Sequence, residues 1–453
     1  MSDREAVDVG RLLDAGRWTG YQRWLVALVA MTIVFDGIDN QLLGIVIPTV
    51  MEEWDVPRSA FASVVSLGYA GMMIGGLVAG LIGDRAGRRT ALLGSMIVFG
   101  VLTVAAAFVD SVEALGTLRF VAGIGLGGAM PNAAALAAEY VPARVRPVAV
   151  TVTIVCVPLG ATLAGVLGIE VLPILGWRNL FIIGGLVPFV AAFVLRFLLP
   201  ESPQFLARRP SRWPELVGVM TRMGYAIDPA STFVDPAAGR RVLRVPVIAL
   251  FTREFVRDTI ALWGAFFSCL LAVYLGFSWL TSLLTGAGFD PSTANGGITA
   301  FNLGGVFGAL LGGVVIARFG SRRAMLAMTA VAIAGAGALA QMEITPSASL
   351  FAIMVMLTIT GAMINGVQTT MYSLAAHVYP TAIRATGVGT AVSFGRIGAV
   401  LTGFIGSWAA DIGGTQTFFT VVALMMVVTF ISLAAVSRHV PRSATEGASN
   451  RHG

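Results

Sequence analysis

Lysine is absent from this chain: all 30 basic residues are Arg. Charge of either sign is scarce, at 12% of 453 residues, against roughly 25% in soluble domains. With 56% hydrophobic residues and a mean hydropathy of +0.83, the chain lacks the polar surface that a water-facing fold of this size requires, which argues against a soluble enzyme. Two cysteines, Cys156 and Cys269, are too few for a disulfide scaffold. They lie in separate apolar stretches and read as buried thiols. Disorder is excluded by the hydrophobicity, and collagen by 54 glycines without a three-residue period. Only three histidines occur: His377, which reads as a solvated helix-end residue, and His439 and His452 in the tail. They form no metal-spaced cluster and no nucleophile elbow is present, so neither an enzyme, a metal nor a cofactor is expected. The pI of 9.9 is the sum of Arg residues scattered over many loops rather than one patch, so no nucleic-acid partner is expected.

What the chain has is long apolar runs. A bilayer core of about 30 Å needs about 20 apolar helical residues. By that rule twelve spans are expected, near 24–48, 59–82, 90–109, 114–138, 147–171, 179–199, 258–283, 293–317, 324–342, 347–371, 385–408 and 415–437. Residues 1–23, with four Arg and no cleavage site, read as an uncleaved cytosolic segment. Of the 30 Arg, 26 fall in the termini and in the loops after even-numbered spans or at their helix ends, and two, Arg58 and Arg178, in the other loops. Positive charge marks the cytoplasmic side, so both termini are expected there. The stretch 200–257, with Arg208-Arg209 and Arg240-Arg241, is too polar to span. It divides the chain into six-helix bundles at 24–199 and 258–437, followed by a tail at 438–453. The fold class is therefore an all-α membrane protein of twelve helices in two bundles. The polar loop and basic tail are placed to meet anionic lipid.

An internal repeat supports the division. Gly80-Leu-Ile-Gly-Asp84-Arg85-Ala-Gly87-Arg88-Arg89 recurs as Gly313-Val-Val-Ile-Ala317-Arg318-Phe-Gly320-Ser321-Arg322-Arg323, and Glu139-Tyr-Val-Pro142-Ala-Arg144 recurs loosely at His377 to Arg384. Parallel repeats of this kind belong to transporters that hold substrate near the midplane. In the first repeat Gly80 would allow a close helix approach, while Asp84 and the Arg cluster would form ion pairs that gate the cytoplasmic side. The alternative is a plain positive-inside anchor. Ala317 replaces Asp84 in the second copy, so that gate contact is missing there. The Gly123, Gly125, Gly127 and Gly128 run satisfies G-x-G-x-x-G but sits in an apolar helix without a preceding strand. Close helix packing is the expected role, as at Gly304, Gly308 and Gly312.

Charges inside spans are few. Asp36 lies 12 residues after Trp24, about 18 Å along a helix and near mid-depth. Asp39 follows on a neighbouring part of the same face. Buried carboxylates resist ionisation and suit proton carriage, although a polar kink lining a water-filled cavity is also consistent. Arg119 is either a functional cation awaiting a carboxylate or a snorkelling residue near the outer surface. Arg396, 12 residues after Arg384, is at mid-depth, where a guanidinium fork suits an organic carboxylate. A structural ion pair with a membrane acid is the alternative.

The loop Gly80–Arg89 and the helix beginning Arg119-Phe-Val-Ala-Gly123 resemble the major facilitator superfamily. Within it, the chain is similar to the aromatic acid:proton symporter family, on Asp36-Gly-Ile-Asp39, on Asn365-Gly-Val-Gln368-Thr-Thr-Met-Tyr372, on Tyr379-Pro-Thr-Ala-Ile-Arg384-Ala-Thr-Gly-Val-Gly389 through Gly395-Arg396, and on Pro200-Glu201-Ser202-Pro203. The resemblance implies import of benzoate-like or hydroxybenzoate-like acids with protons across the cytoplasmic membrane. It further implies proton coupling at Asp36, Asp39, Glu139 and Arg119, and functional roles for Arg384 and Arg396. Ring contacts are available from Gln368, Asn365, Tyr372 and Phe35. The expected gating set is Gly80, Asp84, Arg85, Gly87, Arg88 and Arg384. Cys156-Val-Pro158-Leu-Gly160 lacks the G-P-x-x-G-G of drug antiporters, which counts against export. The alternatives are a facilitator for a sugar or another metabolite, and a drug exporter. The expected partners are the aromatic carboxylate, protons and membrane lipid, and the chain is expected to act as a monomer.

Overall fold

The structure is a computed structural model that describes residues 7–228, 231–234, 247–380 and 383–441. Arg240, Arg241 and His452 lie outside the described residues. In chain order the described helices are α1 (Val9–Asp14), α2 (Gly20–Trp54), α3 (Ala60–Ala86), α4 (Arg88–Ala106), α5 (Val112–Tyr140), α6 (Arg146–Leu198), α7 (Pro203–Ala207), α8 (Trp213–Arg222), α9 (Val256–Gly286), α10 (Pro291–Phe319), α11 (Ser321–Gln341), α12 (Leu350–Val378) and α13 (Arg384–Ala435). Ten are long and apolar enough to cross a membrane, among the described residues. All backbone polar groups inside a bilayer must bond within their own segment, which an apolar helix achieves.

Helix ends follow local chemistry. Ser111, Asp290 and Ser349 each accept a backbone N–H from the first turn of α5, α10 and α12, satisfying donors that would otherwise be orphaned. The breaks between α3 and α4 and between α10 and α11 both fall on glycine with positive φ, Gly87 at 106° and Gly320 at 81°. The sequence repeat is thus also a repeat of backbone conformation. At Gly87 a side chain is excluded twice, because an added Cβ would also strike the Glu201 carboxylate.

Two helices exceed the expected span length. α6 runs 53 residues and α13 runs 52, each about 80 Å at ~1.5 Å per residue. Each holds non-helical residues, Gly176 in α6 and Gly413-Gly414 in α13. These points lie in the gaps expected at 172–178 and 409–414.

Contacts divide the chain into two compact units. The first comprises residues 1–42, 67–167 and 171–243, and the second residues 43–66, 168–170 and 244–453. In the first, α4 lies along α5. Glycines Gly71 and Gly75 of α3 meet the backbone of α5 at Phe120 and Ile124, and Gly123 and Gly127 of α5 meet that of α3 at Gly68 and Met72. The glycine run therefore packs helices, as its sequence context implied. Described parts of the segments read as the cytosolic N-terminus and the 200–257 loop also fold onto this unit: strands β1 (Val7–Asp8) and β2 (Phe233–Val234) pair in parallel. The buried sides of α1 and α8, through Leu13, Leu216 and Met220, join one apolar core with Leu25, Ala133 and Tyr140. In the second unit α9 lies along α13 and α10 along α12. Gly304 and Gly308 press on the backbone of Thr358 and Ala362, and Gly312 meets Thr370 and Gly366. Cys156 and Cys269 are buried free thiols.

Candidate transport site

In the first unit α2, α4, α5 and α6 converge on a buried charge centre. Asp39 is fully buried and Arg119 is 4% exposed. A guanidinium nitrogen of Arg119 donates to the Asp39 carboxylate at 3.2 Å and to the Asp39 backbone oxygen at 3.1 Å. The Thr103 hydroxyl donates to the other carboxylate oxygen, and Arg119 reaches that hydroxyl at 3.4 Å. Phe181 of α6 covers the guanidinium, with its ring centre 6.0 Å away. Arg119 therefore does not snorkel. Asp36, one turn from Asp39, is 3% exposed. Between the two acids, Gly37 sets the approach of α2 to α6: an added Cβ would strike the Val157 backbone oxygen and Gly160. The helix can carry two acids inward only where a glycine lets it come this close. Thr103 and Phe181 were not singled out from the sequence. A hydroxyl in an otherwise apolar span was the available signal for the first, and nothing distinguished the second from a packing aromatic.

Glu139 does not join this centre. It lies 20 residues beyond Arg119 on α5, about 30 Å along the axis, at the Arg-rich helix ends. There Arg88 bonds Asp84 at 2.5 Å and approaches Glu139 at 3.7 Å. The Ser202 hydroxyl donates to Glu139. Glu201, fully buried, accepts from the Arg89 backbone at 2.9 Å, the Ser202 backbone at 3.0 Å and the Thr90 hydroxyl at 3.3 Å. Arg85 is exposed and its backbone oxygen accepts from Arg209. The Gly80–Arg89 motif is thus part of a carboxylate and guanidinium network to which Pro200-Glu201-Ser202 contributes a buried acid. Gly80 departs from its expected role, since a Cβ there would meet nothing within 4 Å. The close approach is made one turn on, at Gly83 against Asn132.

In the second unit, Arg396 and Tyr372 lie within electrostatic reach of each other, together with Tyr274. Aromatic rings surround the segment: Phe394 stacks on Trp263 at 4.9 Å and meets Phe267 at 5.9 Å, and Phe266 meets Tyr372 edge-on at 5.4 Å. Gly395 and Gly398 seat α13 against α9 at Phe266 and Phe267. Gln368 shares the Tyr372 face, is half-buried, and has no hydrogen-bond partner among the described residues. Asn365 is different. It is 2% exposed, donates to the Gly361 backbone oxygen at 3.0 Å and packs against Gly305, at the α10–α12 contact. Arg384 is exposed and bonds the Tyr379 backbone oxygen at 3.3 Å. Phe35 is half-buried in the first unit.

Arg58, counted from the sequence only as an exception to the charge bias, anchors the start of α3 within the second unit. It follows a turn at Asp55, the one non-glycine with positive φ among the described residues. Its guanidinium donates to the Ser282 hydroxyl at 3.1 Å, to the Ser282 backbone oxygen at 3.2 Å and to Asp411 at 3.1 Å. The clasp fastens α3 to α9 and to the end of the first stretch of α13.

Comparison with known proteins adds relatives to this geometry. The family described as Major Facilitator Superfamily matches residues 29–299 and 262–453. The 4-hydroxybenzoate transporter PcaK of Acinetobacter baylyi is 34% identical over 437 residues, covering 94% of this chain and 93% of that protein. The gallate transporter of Pseudomonas putida is 32% identical, covering 92% of each. Among solved structures, the xylose transporter XylE from E. coli, in a partially occluded inward-open conformation, aligns with a TM-score of 0.70 at 15% identity, covering 91% of this chain and 98% of that one. That likeness bears on the fold alone.

Proposed function

This chain belongs to the major facilitator superfamily, and from that premise we propose that it imports aromatic carboxylic acids of the benzoate and hydroxybenzoate class together with protons. The observation that carries the reading is the Asp39–Arg119–Thr103 centre. Burying an ion pair in an apolar bundle is costly and rarely improves stability, and intramembrane ionisable groups mark ion and proton paths. The Asp39 carboxylate is met by the Arg119 guanidinium and the Thr103 hydroxyl. When a proton arrives, the carboxyl loses most of its attraction for the guanidinium, and α2 and α5 are freed to shift against each other. Asp36, one turn away, is the second group able to carry that proton.

The relatives named for 4-hydroxybenzoate and gallate support the substrate class. Arg396 supplies a planar fork matched to a carboxylate, Tyr372 and Gln368 supply polar partners for ring hydroxyls, and Phe394 and Trp263 supply apolar walls. Gly176 and Gly413-Gly414 support counting α6 and α13 as two spans each, for twelve in all. The Arg bias then puts both termini on the cytoplasmic side of the inner membrane, and makes the Asp84–Arg88–Glu139–Glu201 network the cytoplasmic gate. On this reading Glu139 acts in that gate. The direct test is uptake of labelled hydroxybenzoate into vesicles by Asp39→Asn and Arg396→Ala variants: loss of uptake with retained folding supports the assignment, and undiminished uptake overturns it.

A further inference from the structure

Where α6 ends, a cavity of about 360 Å³ opens between Arg196 and Leu198 of α6, Arg89 of α4, and Gly218 and Arg222 of α8. Three guanidiniums line it. Arg196 and Arg222 have no carboxylate partner within 4 Å among the described residues. Arg89 spends one nitrogen on the Leu199 backbone oxygen at 2.9 Å, while its buried Nε has no partner among the described residues. The acid in the wall, Glu215, is held at 2.8 Å by Arg212 from outside the cavity. Arg89 lies within reach of the charge of Arg196, and of Glu201 and Glu215. Three guanidiniums against the single wall carboxylate, itself held by Arg212, leave the cup with an excess of positive charge, and guanidinium is the group best shaped for phosphate.

The same wall continues into a second feature. An apolar groove of about 440 Å³ runs along α6, lined by Val187, Val190, Val194 and Leu198 with Met31 of α2. Leu198 belongs to both cavity and groove, and Val187, Val190, Val194 and Phe197 are exposed. A free phosphate would use the cationic cup and leave the groove unexplained. A molecule with a phosphate head and a hydrocarbon tail fits both, at the end of a span where a membrane interface belongs.

We propose that this composite pocket binds an anionic glycerophospholipid, its phosphate between Arg89, Arg196 and Arg222 and one acyl chain along α6. The lipid bridges α8 to the ends of α4 and α6, next to the Arg89–Glu201 contact, and so braces the first unit on its Arg-rich side. The site is independent of what the protein carries.

The test uses delipidated full-length protein in detergent, titrated with dioctanoyl phosphatidylglycerol, dioctanoyl phosphatidylcholine or inorganic phosphate. Native mass spectrometry and the unfolding temperature are the readouts. Phosphatidylglycerol is expected to bind and to raise the unfolding temperature where phosphatidylcholine and inorganic phosphate at equal concentration do not. Arg196→Gln with Arg222→Gln weakens that binding at least tenfold. Val190→Trp, which fills the groove without altering charge, weakens it as well. The substituted positions are exposed, and the unfolding temperature without lipid confirms that each variant folds. Equal binding of the two lipids, full competition by inorganic phosphate, or undiminished binding by the double Arg variant would overturn the proposal.

Discussion

Arg119 and Asp39 compensate each other where both are buried, and this makes their single and double replacements informative. Removing one partner of a buried pair leaves an isolated charge and costs about 3–5 kcal/mol, whereas neutralising both is often neutral. Asp39→Asn and Arg119→Gln should each lower the unfolding temperature markedly, and the double variant should recover most of that stability. None of the three should transport. If the double variant transports, the pair is structural and the proton is carried elsewhere. For Arg396 the fork is the test. Arg396→Lys keeps the charge but loses the planar two-donor geometry, so the half-saturation concentration for a benzoate should rise about tenfold, equivalent to ~1.4 kcal/mol. An unchanged value would mean that the substrate carboxylate binds elsewhere.

At the scale of elements, helix junctions depend on contacts of unequal strength. The Arg58–Asp411 pair is half open to solvent at Asp411, with that side chain 45% exposed, and an exposed pair of this kind contributes at most about 1 kcal/mol. Arg58→Ala also removes two hydrogen bonds to Ser282, so it should destabilise more than Asp411→Ala, a ranking that thermal unfolding of the two variants reads directly. A second junction joins the end of α13 to the start of α11. The Ser321 backbone donates to the Val440 oxygen at 3.0 Å, the Val440 backbone donates to the Ser321 hydroxyl at 2.8 Å, and the His439 ring lies 3.1 Å from that hydroxyl. Burial, helped by Arg322, holds the His439 pKa below its usual 6.5. The folded junction thus disfavours the protonated ring. Its stability is complete above about pH 6.5 and falls as pH drops from there through the lowered folded value. The protection of the Val440 amide, its exchange rate relative to that of an unstructured amide at the same pH, should fall on acidification in the parent protein and stay constant in His439→Gln. An equal loss of protection in both would exclude His439 as the cause.

For the whole molecule, the apolar helices were legible in the sequence because span length follows from hydropathy: twelve spans were expected, and the described residues form ten long apolar helices, two of them holding non-helical glycines in the expected gaps. The glycines that make those breaks were not read from the sequence. The Asp36 and Asp39 pair was legible because intramembrane acids are rare. What was not legible is which charges meet. Glu139 and Arg119 share α5, yet the length of that helix puts them in different networks, and the meeting of Asp39 with Arg119 depends on how α2 and α5 pack, alongside the close approaches of α2 to α6 at Gly37 and of α5 to α3 at Gly123. Such inter-helix register does not reside in any one segment. The folding of 7–14 with 203–228 and 231–234 was hidden for a related reason, since a short amphipathic helix such as α8 reads as a polar loop until its apolar side finds a partner.

On the proposed function, downhill proton movement drives accumulation of an aromatic carboxylate. Uptake of labelled 4-hydroxybenzoate by proteoliposomes carrying the purified chain, with an imposed inward proton gradient, measures this. Accumulation above the external concentration is expected, competed by benzoate and abolished when a protonophore collapses the gradient. Accumulation that persists without the gradient would overturn proton coupling.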